Sequence, residues 1–183
     1  MTNSKLIKTT LPPIFAVLIA ICGMIKIPAS IPITMQLFGL YVTIFAIGGK
    51  GAFASVIIYL TLAALGLPVI SSGTCGITAL IGPTGGYIWG MVISALIFMI
   101  AEKRRMLKDR SKYILAAIGL IVIYTLGTVW YAVMYAGKGL SLFSVLATCI
   151  LPFVIPDIIK LWLGAAVGIR LRKIIVKNLR SSL

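Results

Sequence analysis

The chain of 183 residues contains no histidine, only three acidic residues, and charged side chains at 11% of all positions. Without imidazole there is no Ser-His-Asp triad, no HExxH zinc site and no haem held by histidine. Glu102, Asp109 and Asp157 are the only acids, so hydrolysis by paired carboxylates lacks a partner for Asp157. The three cysteines, Cys22, Cys75 and Cys149, show neither CxxC nor zinc spacing. They read as small apolar residues, with a Cys75–Cys149 bridge on the outer side left open.

Apolar residues are abundant instead, at 61% of the chain with a mean hydropathy of +1.14. Soluble domains are about 45–50% apolar and about 25% charged. At this length one core cannot hide so much apolar surface. A soluble enzyme and a disordered chain are both excluded, and an all-α integral membrane protein is expected.

A spanning helix needs about 20 apolar residues. Cutting at charges, prolines and glycine clusters gives six spans, at about 11–27, 35–48, 52–67, 87–101, 113–136 and 142–169. They form a single membrane domain over 1–183, with Gly49-Lys50-Gly51 as the turn between the second and third. Lys5 and Lys8 precede an apolar run without a small-residue cleavage site, so the first span reads as a retained helix rather than a signal peptide.

Seventeen Lys and Arg give a formal charge of +14. With both termini inside, the inner segments hold fourteen of them: Lys5, Lys8, Lys50, Lys103, Arg104, Arg105, Lys108, Arg110, Lys112, Arg170, Arg172, Lys173, Lys177 and Arg180. Only Lys26 and Lys138 fall outside, while Lys160 lies within the last span. Cations collect on the cytoplasmic side, so the bias places both termini in the cytoplasm and needs no nucleic-acid partner.

Two segments do not read as plain lipid-facing helix. Residues 68–86 are too apolar for a solvated loop and too rich in glycine for a helix, which suits an outer lid over a binding site. In Leu151-Pro-Phe-Val-Ile-Pro-Asp-Ile-Ile-Lys160, two prolines should break the last span. Pro156 then suits a first helical turn, and Asp157 the positive end of its dipole. Broken helices at membrane depth often line substrate cavities.

Asp157 is the only acid inside a span and Lys160 is its i+3 neighbour. An intramembrane charge costs about 2.5–3.5 kcal/mol on insertion scales, so it calls for a purpose. One reading is a self-satisfied pair that locks the helix. The other is a pocket in which a carboxylate accepts N–H bonds and an ammonium donates to ligand oxygen. No second intramembrane acid is present to relay protons or sodium. Gly48-Gly-Lys-Gly51 lacks the GxxxxGK frame and the Ser/Thr of a phosphate loop, so the chain carries no ATPase motor. Three small-xxx-small patterns, Ala16/Ala20, Gly86/Gly90 and Gly164/Gly168, mark closely packed helices.

Laid in order, the segments resemble the BioY family, the biotin-specific substrate-binding (S) components of energy-coupling factor (ECF) transporters. The resemblance covers about 11–169 and rests on Ile31-Pro-Ile-Thr-Met-Gln-Leu-Phe38, Gly66-Leu-Pro-Val69, Gly82-Pro-Thr-Gly-Gly-Tyr87, and Leu151-Pro-Phe153 followed by Asp157-x-x-Lys160. It departs at Ile155-Pro156, where the family has Pro-Gly, and at Ser72-Gly-Thr-Cys-Gly76. The resemblance implies a six-helix vitamin binder in the cell membrane, with no cofactor and with biotin as its ligand. A transmembrane T component and two ATPase subunits would be its partners. It further implies that Asp157 and Lys160 hold the ligand, that Gly73, Thr74 and Cys75 close over it, and that Gly85, Gly86 and Tyr87 shape the wall. Ala16 and Ala20 of the first helix would contact the T component. The same fold serving another vitamin, or a stand-alone solute carrier, are the alternatives.

Overall fold

The computed structural model describes residues 3–27, 31, 33–70, 76–104, 109–135 and 142–181. Helix α1 covers Asn3–Met24. Strands β1 (Lys26–Ile27) and β2 (Ile33–Thr34) pair antiparallel, with Lys26 opposite Thr34, and turn the chain back. Then come α2 (Gln36–Ala64), the one-turn α3 (Ile77–Ile81), α4 (Gly85–Lys103), α5 (Asp109–Met134), α6 (Leu142–Cys149) and α7 (Leu151–Ser181). Helices α2, α4 and α5, and the stretch joining α6 to α7, are long and apolar enough to cross a membrane; α1 carries a shorter apolar segment, Thr9–Met24.

Helix α2 is two antiparallel limbs. In a straight helix Gln36 and Tyr59 would stand about 35 Å apart at 1.5 Å per residue. Instead Gln36 Nε2 donates to Tyr59 Oη at 3.0 Å. The reversal occurs at Gly48, whose φ of 79° is a conformation glycine adopts without steric cost. A Cβ at Gly48 would also lie 2.6 Å from Glu102 Oε1. Glu102, at the end of α4, accepts the backbone N–H of Gly49 at 2.6 Å and of Lys50 at 3.4 Å. The expected spans 35–48 and 52–67 are these two limbs, and the turn begins at Gly48 rather than Gly49.

The limbs of α2 sit centrally, packed on α1, α4 and α7, while α5 packs on α4 and α6. Small residues set the closest approaches. A Cβ at Gly164 would lie 2.8 Å from Tyr41 Cβ, and one at Gly168 2.7 Å from Phe45 Cβ. At Gly90 the obstacle is Ile123 Cα of α5, at 2.7 Å. Each small-xxx-small pattern thus serves contact within this chain.

Leu11 and Phe15 of α1 cluster with Leu171 and Ile175 of α7 and with Ile47 beside the α2 turn. The start of α1, the Gly48 turn and the C-terminal turns of α7 therefore share one end of the bundle. Glu102, Lys112 and Arg172 border one small cavity with Gly48 at that end. The β-hairpin, α3 and the start of α4 occupy the other end.

The break in the last apolar stretch is not where the prolines suggested. It falls at Ile150, whose carbonyl accepts the N–H of Phe153 at 2.9 Å and of Val154 at 3.2 Å. Pro152 then occupies the first turn of α7, where a missing N–H costs nothing. Pro156 lies inside the helix, and Asp157 is one turn deeper than a helix start at Pro156 would place it.

Candidate ligand site

A cavity at the hairpin end is lined by the β2–α2 junction (Thr34, Gln36, Leu37), the start of α4 (Thr84, Tyr87, Ile88, Met91), α5 (Ile123, Tyr124), α7 (Phe153, Asp157, Lys160) and Ile31. Most of this wall is apolar, with a few convergent polar groups, as in small-molecule sites generally.

Asp157 and Lys160 both line it, with Asp157 at 2% exposure and Lys160 at 7%. Lys160 Nζ donates to Asp157 Oδ1 at 2.7 Å. Tyr124 Oη of α5 donates to Asp157 Oδ2 at 2.8 Å. Each carboxylate oxygen therefore has one charge-assisted or hydroxyl donor and keeps further acceptor capacity, and the ammonium keeps two of its three protons. The pair is thus bonded to itself and also faces the cavity.

Tyr87 borders the cavity and donates through Oη to the Cys149 carbonyl at 3.1 Å, bridging α4 to the end of α6. Gln36 is held by Tyr59 and by Met91 Sδ, 3.3 Å from its Nε2. Cys149 is a buried free thiol. Tyr59 Oη donates in turn to the Val69 carbonyl at 3.4 Å. This ties the chain after α2 to the cavity end, where Ile70 is buried.

The remaining expected site residues divide. Gly73, Thr74 and Cys75 lie outside the described residues. Gly85 and Gly86 do not shape the cavity wall. A Cβ on Gly86 would lie 2.6 Å from the Leu126 carbonyl and collide with Trp130 Cβ, and one on Gly85 would collide with the Leu80 carbonyl, so Gly86 seats the start of α4 against α5 and Gly85 seats it against α3. Trp130 Nε1 donates to the Gly82 carbonyl at 2.9 Å and fixes the same junction.

Ala16 and Ala20 do not lie on an exposed face either. They are 0% and 6% exposed and share a buried cluster with Leu40 and Ile44 of α2. The exposed face of α1 is formed instead by Ile14, Val17 and Ile21, each about half exposed or more. The two alanines let α1 approach α2.

Tyr124 is the residue the sequence reading missed most clearly. Its only signal there is a hydroxyl in the middle of an apolar span. Ile31, Thr34, Gln36 and Phe153 stand inside the motifs already singled out, yet only the fold brings them to one cavity.

The chain has relatives among known proteins. The model of the BioY family matches residues 1–177. The biotin transporter BioY of Thermotoga maritima is 33% identical over 168 residues, covering 90% of this chain and 95% of the relative. A probable biotin transporter BioY of Pyrococcus horikoshii is 31% identical over 166 residues, covering 90% and 96%. The crystal structure at 2.1 Å of the S-component for biotin from an ECF-type ABC transporter superposes with a TM-score of 0.81 at 27% identity, over 94% of each chain.

Proposed function

The chain belongs to the BioY family, and from that premise we propose that it is the biotin-binding S component of an ECF-type uptake transporter. The observation that carries the reading is the apolar cavity closed on one side by Asp157, Lys160 and Tyr124. Biotin pairs a neutral ureido bicycle with an aliphatic tail and a carboxylate. Asp157, already bonded once at each oxygen, accepts the ureido N–H groups with its remaining lone pairs. Lys160 donates to a ligand oxygen with a proton not engaged by Asp157. Ile31, Ile88 and Phe153 supply apolar wall for the bicycle, and Tyr87 and Gln36 bound it.

In this reading both termini are cytoplasmic and the cavity faces outward, because the cations of the Gly48 end then lie inside. Transport requires a transmembrane T component and two ATPase subunits, which supply the hydrolysis. The exposed α1 face of Ile14, Val17 and Ile21 is the part of that helix able to meet the T component.

Mass spectrometry of the small molecule that co-purifies with the chain tests the ligand. Biotin is the expected species. Thiamine, riboflavin or another vitamin in its place would assign the same fold to a different solute.

A further inference from the structure

The end of the bundle away from the ligand cavity carries an open groove of about 740 Å³ between α2, α5 and α7. From α7 it is lined by Ile169, Arg172, Lys173 and Lys177, which recur at helical spacing and so occupy one face. Lys112 and Tyr113 of α5 and Phe45 of α2 form the opposite wall. Four cations thus share one concavity with two aromatic rings.

Its depth matches a headgroup layer. The 31 residues of α7 extend about 46 Å at 1.5 Å per residue, whereas a hydrocarbon core is about 30 Å thick. The last turns, bearing the cations, therefore stand beyond the hydrocarbon. Below them the wall continues as exposed apolar surface. Tyr113 stacks on Trp162 with ring centroids 5.3 Å apart, and Trp162 is flanked on the α7 surface by exposed Ile159 and Leu163. Among the described residues no carboxylate pairs with Arg172, Lys173 or Lys177. Asp157 is held by Lys160 in the distant cavity, and Glu102 Oε2 accepts the Gly49 and Lys50 amides.

We propose that this groove binds the phosphate headgroup of an anionic phospholipid, with its acyl chains descending along Tyr113 and Trp162. A cationic recess that opens sideways onto an aromatic and aliphatic strip fits a molecule with an anionic head and an apolar tail. A soluble anion would leave that strip unused. The inference uses no residue of the biotin cavity, so it stands or falls separately from the ligand assignment.

The test is native mass spectrometry of the full chain in detergent, titrated with phosphatidylglycerol or phosphatidylcholine. The phosphatidylglycerol adduct should exceed the phosphatidylcholine adduct by about fivefold or more, the factor that one lysine or arginine near an anionic surface supplies. Combined Arg172→Gln, Lys173→Gln and Lys177→Gln should abolish that preference. Combined Lys103→Gln, Arg104→Gln and Arg110→Gln removes equal charge outside the groove and should preserve it. If the groove triple variant does not fold, Arg172→Gln and Lys177→Gln alone should each weaken the adduct, and unchanged adducts would overturn the proposal. Equal loss in both triple variants would reduce the effect to bulk charge, and displacement by equimolar inorganic phosphate would assign the groove to a soluble anion. No lipid preference, together with loss of subunit assembly in the groove variant, would assign the cations to an acidic protein partner. Each of these three results contradicts a lipid site.

Discussion

Tyr124 on α5 donates its hydroxyl to Asp157 on α7 at 2.8 Å, on the carboxylate oxygen that Lys160 leaves unoccupied. The bond joins two helices that both line the cavity and restrains the carboxylate there. The buried ion pair is thereby held from two sides, by its own helix and by a neighbour.

Removing the carboxylate should cost both stability and binding. Asp157→Ala strands a buried ammonium, and breaking such a pair costs about 3–5 kcal/mol. A lower thermal midpoint is expected, with biotin affinity reduced at least about tenfold. Unchanged affinity by calorimetry would remove Asp157 from the site.

Tyr124→Phe separates orientation from charge. It deletes one hydroxyl bond to a charged acceptor, a loss of about 1.5–3 kcal/mol, while Asp157 and Lys160 stay paired. Biotin affinity should fall about tenfold with the fold retained. If affinity holds while the thermal midpoint drops, Tyr124 is a structural brace only.

Gly86→Ala tests the packing role given to the glycine pair. The added methyl meets the Leu126 carbonyl and Trp130, and overpacking of this kind costs about 1–3 kcal/mol. The expected result is a destabilised chain whose remaining folded fraction still binds biotin. Normal stability with lost binding would return Gly86 to the cavity wall.

Glu102→Ala addresses the opposite end. It leaves the Gly49 N–H of the α2 reversal without its acceptor, a loss of about 1–3 kcal/mol. Thermal stability should fall without a change in biotin affinity, because Glu102 and the cavity lie at opposite ends. An unaltered melting curve would mean that Gly48 alone holds the turn.

Much of this was legible in the sequence, for physical reasons. Apolar runs between charges, prolines and glycine clusters mark the helical segments, and four of the described helices are long and apolar enough to cross a membrane. The scarcity of acids isolated Asp157, and its i+3 spacing to Lys160 predicted a contact that the fold makes at 2.7 Å. What was not legible depends on helix rotation. The spacing of Ala16 and Ala20 marked close packing, and the resemblance implied a partner surface; a single sequence gives no means of telling which side of α1 faces α2, and both alanines are buried. Tyr124 lies 33 residues from Asp157, and only the packing of α5 beside α7 brings them together. The break before α7 shows the same limit. Two prolines pointed to a discontinuity, but Pro152 fits a first turn so well that the break moves ahead of it.

Isothermal titration calorimetry of the purified chain with biotin, in parallel with thiamine and riboflavin, tests the central claim most directly. Saturable binding of biotin alone, weakened in Asp157→Ala and Tyr124→Phe, is the predicted result. Absence of biotin binding, or equal binding of another vitamin at the same site, would contradict it.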